Sequence, residues 1–104
     1  MKRLSLLSII LLCSAVVVAQ TFSFNKIYYK ILSETELTVE VTDVYSQGQL
    51  YGDIVIPEEV EYNGKYYSVI SLGYYAFQNC MGLTSVSIPN SVSSIGANAF
   101  YECI

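Results

Sequence analysis

The sequence predicts a mainly β fold: an N-terminal β-hairpin cap followed by a short solenoid of about 23-residue coils. Three observations carry this. Val69–Cys80 and Val92–Cys103 share six of twelve residues at an offset of 23. Ten tyrosines, all beyond residue 20, join Val, Ile and Thr in a composition that suits pleated, half-buried strands. Beyond residue 20 no long run of apolar residues at helical spacing occurs.

The chain opens with Lys2 and Arg3, then a nearly unbroken apolar run from Leu4 to Val18, then Ala19. This is the pattern of a secretory signal peptide over 1–19, cleaved after Ala19. The run is short for a membrane span, which takes about 20 apolar residues, so no span is expected after cleavage. Cys13 follows Leu12, where lipid attachment would want a small residue, and is expected to leave with the leader.

Residues 20–50 are expected to form the cap. Lys26–Leu32 and Leu37–Thr42 read as two strands around a Ser33–Glu36 turn, with Ser46–Gln49 as a second turn. Leu37–Thr42 alternates apolar and polar, as a strand with one buried face does. Such a cap covers the open end of a solenoid.

Residues 51–104 are expected to hold the coils. Leu83–Ile88 fits L-x-x-L-x-L, and Tyr51–Ile56 fits it with Tyr leading. Leu83, Val86 and Ile88 should point inward, and Thr84, Ser85 and Ser87 outward. Pro57 and Pro89 should end these strands, because proline has no N–H for the ladder. Gly73 and Gly96 should mark the tight corner that follows. Phe77 and Phe100 should stack. Ile56–Val60 matches Ile88–Val92 at an offset of 32, nine more than the coil period. A hairpin insertion at 61–69 accounts for the excess, and Asn63-Gly64 between tyrosines is a strong two-residue turn.

The residues exclude several functions. After cleavage Lys26, Lys30 and Lys65 face nine carboxylates, a balance of −6, so no basic patch exists for nucleic acid. Without histidine, the common general base and the Cys/His and Ser/His pairs are missing. We therefore expect no enzyme, no catalytic residue, no cofactor and no metal site. Glu58, Glu59 and Glu61 lack the ordered oxygen spacing of a calcium loop and read as a solvated turn. In the tyrosine pairs 28–29, 66–67 and 74–75, one ring should face the core and its neighbour solvent. Cys80 and Cys103 hold equivalent positions in adjacent coils, about 4.8 Å apart in a stacked solenoid. They would form either a ladder of buried thiols or a disulfide, for which that spacing suffices.

Ile88-Pro89-x-x-Val92-x-x-Ile95-Gly96-x-x-Ala99-Phe100-x-x-Cys103 resembles the signature of BspA-like leucine-rich-repeat proteins. The resemblance covers nearly all of residues 20–104 and implies a leucine-rich-repeat solenoid. It also implies a secreted or cell-surface bacterial protein that mediates protein–protein interaction or adhesion. Implied partners are host extracellular-matrix proteins or another bacterial surface protein. The strand face with Asp53, Val55, Ser85 and Ser87 is the expected contact surface. Relatives carry many coils and this chain under two. It can therefore also be read as a purely structural N-terminal fragment, with end-to-end self-association at the open C-terminal coil.

Overall fold

A computed structural model describes residues 20–42 and 50–103; the expected signal peptide and the 46–49 turn lie outside these residues. Among the described residues eight strands form: β1 (Thr21–Phe24), β2 (Ile27–Ser33), β3 (Thr38–Val41), β4 (Tyr51–Val55), β5 (Glu59–Tyr62), β6 (Lys65–Leu72), β7 (Gly82–Ser87) and β8 (Ser94–Ile95). They make two sheets. One runs β1-β2-β3-β6-β5, with β8 also on β6; the other pairs β4 with β7.

The N-terminal unit is a three-stranded meander rather than a two-stranded hairpin. β1 pairs antiparallel with β2, and β2 with β3. Asn25 (φ 52°) and Lys26 (φ 70°) form the first turn, so Lys26 is a turn residue and not the start of a strand. Two consecutive positive φ values give the turn whose twist matches the flanking strands. Leu37 (φ 59°) likewise belongs to the second turn, and β3 begins at Thr38.

β6 is the central strand. β3 lies parallel along one edge; along the other, β5 pairs with its first half and β8 with its second. Asn63 (φ 53°) and Gly64 (φ 78°) close the β5–β6 turn. The sheet curls strongly. β1 and β5 stand at opposite ends of the five-strand order, about 19 Å apart if the sheet were flat. Yet Phe22 of β1 stacks on Tyr62 of β5 with centroids 4.3 Å apart at 11°. Gln20 Nε2 also donates to the Tyr62 hydroxyl at 2.7 Å.

Successive coils are joined by backbone hydrogen bonds well beyond the strands. Ser93 N donates to Ile70 O and Gly96 N to Leu72 O; Tyr75, Phe77 and Asn79 N donate to Ala97, Ala99 and Tyr101 O. Within each coil the corner is three overlapping turns. Ala76, Gln78 and Cys80 N return to Gly73, Tyr75 and Phe77 O, and the same three bonds recur 23 residues later.

Gly73 and Gly96 open these corners, as expected, and the left-handed conformations within them fall to other residues. The left-handed residues of the corners are Tyr75, Asn79, Asn98 and Glu102, and neither Gly73 nor Gly96 has a positive φ. The glycines serve close approach. A Cβ on Gly96 would lie 2.7 Å from Tyr74 N and 2.8 Å from Gly73 C, backbone of the coil beneath. A Cβ on Gly73 would lie 2.8 Å from Glu40 Oε2 and 2.9 Å from Val41 O. There Glu40 accepts from Ser71 Oγ (3.0 Å) and pairs with Lys30 (3.2 Å).

The core is one cluster: Val39, Val41, Val69 and Leu72 from the curled sheet, Leu50 and Ile56 beside β4, and Ala76, Phe77 and Cys80 from the corner. Phe77 and Phe100 stack as expected, 5.3 Å apart at 6°. Ile56 is 2% exposed under the next coil, whereas Ile88, expected to point inward, is 39% exposed because no further coil lies over it among the described residues. Tyr29 and Tyr67 are buried and their neighbours Tyr28 and Tyr66 are not, which is the expected division; at 74–75 neither ring enters the core, Tyr74 being exposed and Tyr75 half-buried. Cys80 and Cys103 are both free thiols, Cys80 buried and Cys103 half-buried, and Cys103 Sγ donates to Phe77 O at 2.7 Å.

Two stability measurements follow. Gly96→Ala forces a carbon into neighbouring backbone and should cost at least about 2 kcal/mol in urea unfolding, like other overpacking changes. Tyr29 is fully buried and its hydroxyl has no hydrogen-bond partner among the described residues. Burial pushes its pKa from 10.0 up to about 12. A raised pKa means its contribution is intact below pH 10 and lost as pH rises towards 12, on the order of 2 kcal/mol. Tyr29→Phe should abolish that alkaline loss and, by removing an unsatisfied buried hydroxyl, stabilise the protein at pH 7 by about 1 kcal/mol.

Candidate interaction surface on the β4–β7 face

β4 and β7 lie parallel, and their side chains alternate between core and solvent. Ile54 and Val86 sit opposite each other and face inward; Val55 and Ser87 sit opposite each other and face outward. The register shifts at the start of the pair. Tyr51 stands opposite Gly82, and Gly52 opposite Leu83. Tyr51, which leads its repeat as Leu83 leads the next, is 72% exposed. Gly52 makes the shift workable with φ 78°, a conformation that glycine adopts without strain.

The offset of 32 is restored by a bulge. Asp53 pairs with Ser85, leaving Thr84 as an extra residue on β7. Two residues of one strand then oppose one of the other. Both hydroxyls converge on a single carboxylate oxygen: Thr84 Oγ1 donates to Asp53 Oδ1 at 2.6 Å and Ser85 Oγ at 2.8 Å. These bonds, Thr84 first and Ser85 second, hold the Asp53 carboxyl below its ordinary value of 3.8. A donor to the charged form favours that form.

The structure thus brings Asp53, Val55, Ser85 and Ser87 together on one outer face, as their alternation indicated. It adds Tyr51 and Thr84. Val55 is 69% exposed there, so the face carries two large apolar groups around a fixed anion. Thr84 and Ser85 could both be placed on the outer face from the L-x-x-L spacing, but their shared bond to Asp53 depends on the register of β4 against that bulge.

The other candidate residues lie apart. Glu58, Glu59 and Glu61 are all exposed along β5 and the turn before it. Among the described residues no three His, Cys, Asp or Glu side chains come together as metal ligands. No helix of the described residues is long and apolar enough to cross a membrane. Tyr74, Tyr75 and Tyr101 form an aromatic row on the corner, with centroids 4.3 and 5.5 Å apart in edge-to-face contact.

A curled sheet, stacked coils and a short parallel strand face define a leucine-rich-repeat solenoid. Residues 53–104 match the family described as BspA type leucine rich repeat region (6 copies), and the chain belongs to that family. Three solved structures are similar. A leucine-rich repeat protein from Bacteroides ovatus ATCC 8483 is 36% identical over 79% of this chain and 21% of its own, with a TM-score of 0.67. A leucine rich cell surface protein from Faecalibacterium prausnitzii A2-165 is 30% identical over 84% of this chain and 22% of its own, with a TM-score of 0.64. A leucine-rich repeat protein from Bacteroides capillosus ATCC 29799 is 29% identical over 80% of this chain and 59% of its own, with a TM-score of 0.63. The chain therefore spans about a fifth of the first two. Comparison with curated proteins returned no match.

The hydroxyl bonds give a direct test at Asp53. Thr84→Val removes the larger of the two effects. The Asp53 carboxyl should then titrate at higher pH, moving back towards 3.8, while unfolding in urea near pH 7 changes little. A carbon-detected NMR titration of the carboxyl group reads this shift.

Proposed function

We propose that this protein is a secreted or cell-surface interaction module that binds a protein partner through the outer face of β4 and β7. The observation that carries this reading is the exposure of Tyr51 (72%) and Val55 (69%) on a rigid strand face, around an oriented carboxylate. Neither apolar side chain contributes to the core. Exposed aromatic and apolar groups clustered on one rigid face are typical of interaction sites. The family supports protein–protein interaction in general terms. A similar structure is named as a cell surface protein, which agrees with the N-terminal basic and apolar pattern of residues 1–19. Adhesion to host extracellular-matrix proteins is the finer reading.

Two measurements test it. N-terminal sequencing of the protein recovered outside the cytoplasm should begin at Gln20; a retained Met1 in that fraction would count against export by cleavage. Immobilised host matrix proteins should capture the purified protein at micromolar concentration, and Val55→Asp should lower that capture at least about tenfold, as loss of a central apolar contact does. Absence of capture across such a panel, or an undiminished Val55→Asp protein, overturns the reading.

A further inference from the structure

We propose that the β4–β7 face selects partners carrying an arginine side chain, whose guanidinium packs on Tyr51 and pairs with the free oxygen of Asp53. This rests on the reading of that face as the interaction surface and names the chemistry that it recognises.

The geometry is specific. Asp53 is the single charged side chain of β4 and β7. Its Oδ1 is committed to Thr84 and Ser85, which fix the carboxylate plane and leave Oδ2 for an outside donor. An ionised carboxylate has about four lone-pair sites, and the two hydroxyls use two of them. Tyr51 precedes Asp53 by two residues on the same side of the strand, about 7 Å along it. A guanidinium is planar, weakly hydrated and stacks on an aromatic face, and its several N–H groups point outward from its rim. Seated on the Tyr51 ring, it reaches Asp53 with those N–H groups. The compact ammonium of lysine lacks that stacking plane. Val55, two residues further on, offers an apolar contact beyond the charge.

Charge complementarity supports the same occupant. Residues 20–104 carry −6, so a cationic partner is attracted and an anionic one repelled before contact. The same surplus disfavours a second copy of this chain on the face.

The test uses the purified protein and a blocked Ser-Arg-Leu-Arg-Ser peptide, with its citrulline twin as control. In NMR titration the arginine peptide should shift the amides of Tyr51, Asp53 and Val55. Citrulline, which keeps shape and loses charge, should bind about fivefold more weakly, the scale of an exposed ion pair. Asp53→Asn keeps an oxygen for Thr84 and Ser85 and should lose the same factor, with its thermal midpoint unchanged. Raising salt to 0.5 M should weaken wild-type binding more than it weakens Asp53→Asn binding, which keeps only the long-range attraction. Equal binding of the two peptides, an Asp53→Asn protein that binds as well as wild type, or no shift at millimolar peptide overturns the proposal. Concentration-dependent broadening at these residues without peptide would assign the face to a second copy and also overturns it. If matrix proteins are captured with equal strength by wild type and Asp53→Asn, the interaction surface stands and the arginine preference fails.

Discussion

Everything in this molecule depends on successive coils approaching to one strand spacing along most of their length. Hydrogen bonds run from coil to coil through β6 and β8 and then continue through the corner at Tyr75, Phe77 and Asn79. An irregular corner would ordinarily leave buried backbone groups unpaired, which proteins rarely tolerate. Here the neighbouring coil supplies the partners. That arrangement demands the same corner conformation in each coil, which is why the left-handed positions recur at 75 and 98 and at 79 and 102. It also demands that no Cβ intrude at Gly96, where the backbones nearly touch.

The same spacing organises the interior. The phenyl rings of Phe77 and Phe100 sit one above the other because the coils that carry them are in register. Cys103 donates to Phe77 O, which also accepts from Cys80 N, so one carbonyl serves both coils. The core thus grows by repetition of a layer rather than by convergence of distant segments, the pattern expected of repeat proteins.

Much of this was legible in the sequence, and the exceptions share a physical cause. The period, the Phe77–Phe100 stack, the Asn63–Gly64 turn and the outward placing of Asp53, Val55, Ser85 and Ser87 follow from identity at fixed offset and from two-residue alternation. What escaped were local irregularities. The Asn25–Lys26 turn lacks the glycine that usually marks its type. Tyr51 lies on the surface although it fits the repeat pattern, because β4 alternates without the extra residue that β7 carries at Thr84, which puts Tyr51 on the same side as Asp53 and Val55. Asp53 was recognisable as a surface residue, but its two hydroxyl partners exist only through that bulge. Gly73 and Gly96 mark the corners in the sequence, but the close backbone approach that requires glycine there is visible only between stacked coils.

The contact of Phe22 with Tyr62 brings the two ends of the larger sheet together. An open sheet presents rows of unpaired N–H and C=O groups that can recruit strands from other molecules. Bending the sheet until its outer strands touch leaves little room for a stranger to add at either one. The aromatic clasp therefore guards the edges at β1 and β5, and leaves strand addition to the edges at β7 and β8, where one coil follows another.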